Sequence, residues 1–585
     1  MKALARDLPY ALYLSSIEIG AGVLSMPLTA GALGFLPLLV VTVLVGGVFV
    51  LVYYRMADTI FRLVQVETDE HLVALGPALK LAGVSPSGEL REKLRPGVRA
   101  VVLERGSAVF DALIRRVGLG RAGLATLFLG TLWYVFFADV GYIVTGKESL
   151  NAVAGMLRPL PWAPLVANLS GVGLLACSLA LPLLLRSDTG GRGAVQKFLA
   201  MGGSWLIGLG VLALLDGSTV AVGGATWGSL VGTALFLAAI GAAMFVGRPS
   251  AGEGRDGSGL SAQHRVNVLV LLVEFGLLFA AGGAVLVSFA AHGLLEDFRA
   301  FGAGWLPPER PAEWSAMLNV VIFAYVGTGI FNICRYPELF ESDPGQSQRP
   351  RFIRVAVLGT AIPMVVYLGW TLVTSFVLTP GELVDADIAR RATHIAIAAK
   401  AGRAIPEVLW LVTVLTFLFA LMAVTSACVG FTESLSDRIS LALRDLDGRR
   451  EWPADWRLPI LAGAALAAVA IDAFSALVNL NVLLAFAGGA GGGLLFLVLP
   501  LFLPAHPAPR PVRYWQVAAA VLLVVVLLWT MGNLPGGGPG LTDLVFVAGK
   551  VVVFVSVVAV TVWLVFSGPF PSADAPAAGR LPPRA

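Results

Sequence analysis

Long apolar runs without charge constrain the fold of this chain more than any other feature. Of its 585 residues, 57% are hydrophobic and 13% are charged, whereas soluble domains carry roughly 25% charged residues. The run VAAAVLLVVVLLWTM, residues 517–531, contains no charged residue. A helix of about 20 such residues crosses the hydrocarbon core of a bilayer. The sequence therefore predicts an all-α polytopic membrane protein and argues against a soluble one.

About fourteen apolar runs are long enough to be membrane spans. They occupy residues 8–35, 37–62, 122–147, 161–185, 195–216, 225–247, 266–293, 315–336, 353–379, 406–433, 458–475, 478–504, 513–533 and 542–567. We expect residues 1–567 to form a single transmembrane domain. The first ten residues, MKALARDLPY, are too short and polar for the start of a cleaved signal, so the first span is retained. Residues 568–585 are rich in Pro and Ala, which predicts a disordered cytoplasmic tail.

Basic residues indicate the orientation of the spans. If the N-terminus is inside, inner segments such as 63–121 and 434–457 are rich in Arg and Lys, and outer segments such as 217–224 are nearly free of them. This is the positive-inside pattern. Segments 294–314 and 380–405 deviate, since both hold basic and acidic residues. The pattern predicts that both termini are cytoplasmic, in the cell membrane.

The predicted cytoplasmic loop 63–121 is the largest segment outside the spans. Its stretch SAVFDALIRRVG mixes charged and apolar positions, which favours an amphipathic helix on the membrane surface. The loop is too small to be an enzyme domain.

Reactive residues give no support for an enzyme. The three cysteines, Cys177, Cys334 and Cys428, lie inside apolar runs without a CxxC pair, so we predict neither a disulfide frame nor a bound metal. The five histidines are scattered, and no HExxH, GxSxG or Walker-type motif is present. No cofactor is expected. Membrane topology explains the net charge of +4, so nucleic acid is not an expected partner.

Two spans carry glycine pairs near their middle. Gly20-Ala21-Gly22 lies in the first span, and Gly327-Thr328-Gly329 follows Tyr325 in span 315–336. Irregular backbone within a membrane is tolerated where it lines a cavity, and matching interruptions in two halves indicate the site of an inverted-repeat transporter. Amides at such half-helix ends suit a carboxylate, and carbonyls suit a cation. The alternative is close helix packing by small residues, which a single GxG taken alone favours.

Three carboxyl groups lie within predicted spans, at Glu18, Asp139 and Glu274. Ionisable groups in a bilayer are costly and usually functional, and burial disfavours the charged carboxylate, which suits reversible protonation. Glu18, next to the broken segment, is the first proton-coupling candidate. Asp139 is the second and can instead contact a substrate amine. A structural hydrogen bond is the alternative for each, and for Glu274 a structural role is favoured.

Four stretches resemble one family of transporters. GAGVLSMPLTAGALGF, residues 20–35, resembles the first-span signature of amino-acid permeases, especially the tryptophan/tyrosine (aromatic) and auxin-permease branches. Residues 357–373, 424–437 and 483–503 resemble the seventh, eighth and tenth core spans, in the same order. These permeases belong to the amino acid–polyamine–organocation superfamily, which has the LeuT-type fold.

The resemblance implies a fold and an activity. The fold is a LeuT-like inverted repeat of 5+5 spans with discontinuous first and sixth core helices, to which this chain adds about four spans. We expect part of the addition to be a pair inserted within 225–293, spans 225–247 and 266–293. The implied activity is cation-coupled secondary transport of amino acids by alternating access. Transport of another small organic amine or acid, and a non-transporting nutrient sensor that uses loop 63–121, are the alternatives.

The resemblance also implies where substrate and cation bind. The substrate residues would be Gly20, Ala21, Gly22, Tyr134, Tyr325, Gly327, Thr328 and Gly329, with packing as the alternative for Tyr134. In sodium-coupled members a Thr-Ser pair holds the ion, and the matching cation ligands are Thr425, Ser426 and the carbonyls of Ser16, Ile19 and Met422. Related permeases couple to protons, so H⁺ and Na⁺ both stay open. The alternative for the two hydroxyls is hydrogen bonding to the preceding helical turn.

Charged residues at the inner span ends are candidates for a gate of ion pairs, with simple interfacial anchoring as the alternative. They are Arg335, Glu338, Glu341, Asp437 and Arg438. The expected partners are a small-molecule substrate and the lipid bilayer, and the oligomeric state is left open.

Overall fold

The computed structural model of the protein describes the following residues. They are 2–81, 88–103, 120–157, 221–222, 225–226, 233–234, 236, 240, 262–296, 311–326, 333, 339–340, 348–388, 391–446, 456–474, 484–485, 487–488, 492 and 525. The secondary structure of this part is helical apart from one antiparallel pair of two-residue strands, β1 (Ala221–Val222) and β2 (Ala225–Thr226). The predicted all-α class is confirmed.

Thirteen described α-helices are numbered in chain order. They are α1 (Lys2–Glu18), α2 (Ala21–Ser25), α3 (Ala30–Leu33), α4 (Phe35–Leu81), α5 (Gly88–Leu103), α6 (Gly120–Leu157), α7 (Ala262–Ala291), α8 (Pro311–Tyr325), α9 (Arg349–Val377), α10 (Pro380–Ile388), α11 (Thr393–Ala404), α12 (Leu409–Leu446) and α13 (Arg457–Phe474). Two 3₁₀ turns, Met26–Thr29 and Pro406–Val408, precede α3 and α12.

Several of these helices are long and apolar enough to cross a membrane. Four described segments qualify singly: Phe35–Pro77, Leu272–Ala291, Arg349–Val377 and Pro406–Ser440. A fifth is the pair Asp7–Glu18 and Ala21–Leu33, bent by 56°. The chain is therefore a multi-pass membrane protein. Predicted spans 161–185, 195–216, 478–504, 513–533 and 542–567, most of 225–247, and the tail lie outside the described residues, so the count of about fourteen stays a prediction.

Helix α4 continues well past the predicted end of its span at residue 62. It runs to Leu81, and 47 residues at about 1.5 Å each exceed the thickness of the hydrocarbon core. The apolar run marks where the chain leaves the lipid, whereas helical hydrogen bonding continues into water. Helix α5 then packs against it, with Arg95 Nη2 2.8 Å from Asp69 Oδ1. The amphipathic helix predicted within 107–118 lies outside the described residues.

Helix α1 lies at the centre of the described bundle. It contacts α7, α9 and α12. Two glycines allow this close approach: a Cβ at Gly359 on α9 would overlap Leu14, and one at Gly430 on α12 would lie 2.9 Å from Ile17. Small residues at helix contacts are the usual way to bring membrane helices together. The broken segment after α1 is therefore held between core helices.

Candidate substrate and cation site

The first span is interrupted where the glycine pair predicted it. Helix α1 ends at Glu18, whereas α2 begins at Ala21 with its axis turned by 56°. The Ile19 amide donates to Ser15 O at 2.8 Å, and the Val23 amide donates to Gly20 O at 3.2 Å. The first amides of α2, which follow the break, have no carbonyl partner within their own helix. The break thus presents amides on one side and carbonyls on the other.

The second predicted break begins at the end of α8. The helix stops at Tyr325, and the Val326 amide closes the last turn on Ile322 O and Phe323 O. Gly327, Thr328 and Gly329 lie outside the described residues. The end of the helix agrees with the predicted interruption, and the roles of these three residues stay predictions.

Two buried tyrosines reach the backbone carbonyls at these helix ends. The Tyr367 hydroxyl lies 2.7 Å from both Glu18 O and Ala324 O, and it can donate its one proton to either. The Tyr134 hydroxyl donates to Val326 O at 2.5 Å. Hydrocarbon offers these carbonyls no other donor. Tyr367 therefore joins the end of α1 to the end of α8, a role that the sequence analysis did not assign to it.

The glycines of the first break bring the helices into direct contact. A Cβ at Gly22 would lie 2.8 Å from Ala324 Cβ on α8. A Cβ at Gly20 would lie 2.8 Å from both Tyr142 and Ala427. Close packing, the alternative for the glycine pair, is therefore present, and it is what places the start of α2 against the end of α8. The substrate role of Gly20, Ala21 and Gly22 remains a prediction.

Tyr325 turns its side chain toward α4. Its hydroxyl donates to Thr42 O at 3.2 Å, and its ring stacks on Phe49 with centroids 5.8 Å apart. The Tyr367 ring meets it edge-on at 5.3 Å. These contacts hold the ring beside the break, where its predicted contact with substrate is untested.

The predicted cation ligands differ in their hydrogen bonding. Ser16 Oγ donates to Tyr13 O at 2.9 Å, and Ser426 Oγ lies 3.1 Å from both Ala423 O and Glu274 Oε2. The bond to the preceding turn is thus present for both serines. Thr425 Oγ1 is buried and has no hydrogen-bond partner among the described residues. The carbonyls that are predicted to be ligands belong to Ser16, Ile19 and Met422, and all three residues are buried.

The two proton-coupling candidates are buried as expected. Glu18 is the last residue of α1, and neither carboxyl oxygen has a hydrogen bond of normal geometry in the described part, although the Tyr53 hydroxyl is close enough to interact with it. Asp139 Oδ2 accepts a hydrogen bond from Thr432 Oγ1 at 3.0 Å. The structural alternative is therefore observed for Asp139.

Helix α11 packs on the second half of the broken span. Thr393 Oγ1 donates to Leu24 O at 2.8 Å and accepts from Trp370 Nε1 at 3.2 Å. His394, next along, lies 2.9 Å from Ser149 Oγ, and burial lowers the pKa of His394 to about 3, so the ring is neutral at physiological pH. Helix α11 is thus attached to its neighbours through hydrogen bonds between uncharged groups.

Ion pairs lie at the opposite end of the bundle, which is predicted to be cytoplasmic. Asp7 accepts hydrogen bonds from Arg351 Nε and Arg354 Nη2, each at 2.9 Å, and Asp58 pairs with Arg349. These pairs join α1 and α4 to the start of α9. The sequence analysis missed them, although the RPRFIR stretch at 349–354 was a signal.

The gate residues predicted from the sequence are only partly described. Arg335, Glu338 and Glu341 lie outside the described residues. Asp437 and Arg438 lie on α12, and each interacts with other groups of the protein.

Comparisons with known proteins give structural likenesses only. One similar structure is a mutant of the Eremococcus coleocola manganese transporter, which is 13% identical to this chain. The match covers 96% of this chain and 94% of the transporter, with a TM-score of 0.47. MHP1, a nucleobase-cation-symport-1 family transporter in a closed conformation with bromovinylhydantoin bound, is 13% identical, covers 96% and 93%, and has a TM-score of 0.41. No family model and no curated protein matches the chain. The resemblance to amino-acid permeases stays a prediction.

We expect Tyr367→Phe to lower the melting temperature of the purified protein. The substitution leaves the Glu18 and Ala324 carbonyls without their shared donor, at a cost of about 1–3 kcal/mol. Tyr54→Phe is the matched control, because Tyr54 is half exposed on α4. Equal melting temperatures for the two variants would contradict the bridging role.

Proposed function

We propose that this protein is a secondary active transporter of amino acids in the cell membrane, coupled to H⁺ or Na⁺ and working by alternating access. The observation that carries the proposal is the meeting of two helix ends inside the bundle. The first span is broken by 56° after Glu18, and Gly22 on its second half packs against Ala324 at the end of α8.

The substrate carboxylate would bind at the start of α2. Amides at a helix N-terminus, together with the positive end of the helix dipole, attract an anion. Gly20, Ala21 and Gly22 would present these amides. Tyr134, Tyr325 and the segment Gly327, Thr328 and Gly329 would line the opposite side, where the amine and the side chain of the substrate lie.

Alternating access would use the two ends of the site in turn. Helix α11, the proposed outer cover, is held to α2 by the bond from Thr393 to Leu24 O, and the inner end is closed by Asp7 with Arg351 and Arg354. Release of the first set opens the site outward, and release of the second opens it inward. Both sets are directional polar contacts between helices.

The coupling cation would bind beside the substrate. For Na⁺ the ligands would be Thr425, Ser426 and the carbonyls of Ser16, Ile19 and Met422, all hard oxygen donors of the kind such cations prefer. For H⁺, Glu18 and then Asp139 are the carboxyl groups that would carry the proton.

Uptake of radiolabelled amino acids into proteoliposomes tests the proposal. The purified full-length chain would be reconstituted, and Na⁺ and pH gradients would be imposed separately. We expect accumulation of at least one amino acid under one of the two gradients. Accumulation of only other organic amines or acids would favour the alternative substrate class. Absence of uptake together with saturable amino-acid binding would favour the sensor.

We expect Thr425→Ala to abolish the Na⁺ dependence of uptake. Thr425 Oγ1 is buried without a hydrogen bond in the described part, so its loss removes a cation ligand and little else. Thr416→Ala is the matched control on α12, because Thr416 Oγ1 donates to Val412 O at 2.7 Å within its own helix. If uptake by Thr425→Ala still responds to Na⁺ as Thr416→Ala does, the cation role of Thr425 is wrong.

A further inference from the structure

Glu274 lies on the inward face of a membrane span. Helix α7 buries one side through Glu274, Leu278, Ala281 and Val285, at helical spacing, whereas Leu272, Phe279 and Val287 are exposed. The exposed side is apolar, as a lipid-facing surface requires. The carboxyl group of Glu274, 2% exposed, is therefore directed into the protein.

The helix that carries Glu274 contacts both helices of the proposed cation site. Helix α7 packs against α1, which carries Ser16 and ends directly before Ile19, and against α12, which carries Thr425 and Ser426. Helix α7 belongs to the pair that is predicted to be inserted within 225–293, and that insertion stays a prediction. The helix nevertheless packs inside the described bundle. Glu274 is consequently placed beside the site and not outside it.

The carboxyl group contributes one oxygen to a hydrogen bond and leaves the other open. Oε2 lies 3.1 Å from Ser426 Oγ, and Oε1 is buried without a partner among the described residues. The described Lys, Arg and His side chains form no ion pair with it. Thr425 Oγ1, one residue from Ser426, is likewise buried and without a partner in this part of the chain. Glu274 Oε1 and Thr425 Oγ1 are thus two buried oxygens without a partner in the described part, on residues that bond to or neighbour Ser426.

A carboxyl group buried in a bilayer is neutralised either by a proton or by a compensating cation. A fixed basic side chain would supply it permanently, and the described part contains none at this position. Carboxylate and hydroxyl oxygens are hard ligands, which suit Na⁺ better than they suit soft metals. The carboxylate would add a full negative charge to a site whose other ligands are neutral oxygens.

We propose that Glu274 is a direct ligand of the coupling Na⁺ ion, which it binds together with the hydroxyl groups of Thr425 and Ser426. The inference rests on the proposed transport function, and it selects Na⁺ over H⁺ as the coupling ion. It also assigns a role in ion binding to a carboxyl group for which the sequence analysis favoured a structural one.

Direct binding of ²²Na⁺ to the purified full-length protein tests this site, with choline chloride holding the ionic strength constant. We expect saturable binding to the wild type and binding weakened about tenfold or more by Glu274→Gln, since contacts with a charged group are worth at least that factor. Glu407→Gln is the matched control, because Glu407 is exposed in the turn before α12. Wild-type affinity in Glu274→Gln, or no binding to the wild type, would overturn the proposal.

Two further variants keep the test decisive if Glu274→Gln does not fold. Glu274→Asp retains the charge on a shorter side chain, and Ser426→Ala removes the hydroxyl that contacts Oε2. Both are expected to bind Na⁺ more weakly than the wild type, and undiminished binding in both would contradict the site.

Uptake measured in parallel separates this inference from the proposed function. Amino-acid uptake driven by a pH gradient, without Na⁺ binding, would overturn the site and leave the transporter. Na⁺ binding through Glu274 without uptake of any amino acid would leave the site and overturn the proposed amino-acid transport.

Discussion

Gly22→Leu is expected to reduce amino-acid uptake to background while the protein still inserts into the membrane. A Cβ at this position would lie 2.8 Å from Ala324 Cβ and 3.1 Å from Ala324 Cα. The second of these neighbours is backbone and cannot rotate away. A leucine side chain must therefore push the broken first span away from α8 and separate the two halves of the proposed site. Insertion depends on total hydropathy, which Leu increases.

Proteoliposome uptake and the yield of monodisperse protein in detergent measure the two parts of this expectation. Gly47→Leu is the matched control, because a Cβ at Gly47 on α4 meets nothing within 4 Å. Transport by Gly22→Leu at the rate of Gly47→Leu would refute a site at this contact. If Gly22→Leu lowers the yield of folded protein, Gly22 is a packing residue for the whole bundle.

Asp7→Asn is expected to cause the largest loss of stability among these variants. The Asp7 side chain is fully buried, and each of its oxygens accepts from an arginine on α9. The substitution removes the negative charge that contacts Arg351, which is 10% exposed, and Arg354, which is 47% exposed. Breaking a buried pair costs about 3–5 kcal/mol, and solvent screening of Arg354 places the expected loss near the lower figure, about 3 kcal/mol.

Thermal melting of the purified protein measures this effect. Glu89→Gln serves as the control, because its pair with Lys93 is largely exposed and is worth about 0–1 kcal/mol. A melting temperature for Asp7→Asn equal to that of Glu89→Gln would show that the inner ion pairs do not hold α1 to α9.

The spans that could be predicted were those with an uninterrupted apolar pattern. Span 353–379 was predicted and α9 runs Arg349–Val377, and span 266–293 corresponds to α7, Ala262–Ala291. The apolar pattern predicts a span that ends near residue 62, whereas helix α4 continues to Leu81. Hydropathy reports the solvent around a helix, and it does not report where the helical hydrogen bonds end.

Polar contacts between distant segments could not be predicted. Tyr367 bridges Glu18 and Ala324, and Asp7 pairs with Arg351, across separations of 43 to 349 residues along the chain. A basic stretch such as RPRFIR shows that arginines are present, but no local pattern identifies the partner, because a hydroxyl or a carboxylate looks the same in the sequence whatever it bonds. Glu274 is the same case, since its contact with Ser426 depends on the packing of α7 against α12.

The sequence by itself determined that this chain crosses the membrane several times, and it marked Gly20 to Gly22 as the place where the first span either breaks or packs closely. Both follow from local properties, namely the free energy of apolar residues in lipid and the weakness of a helix at Gly20 and Gly22. The tertiary structure alone decided what the break faces. It places Gly22 on Ala324, Tyr367 between the two helix ends and Glu274 beside Ser426. These contacts join residues far apart in the chain, so only the packing of the helices can bring them together.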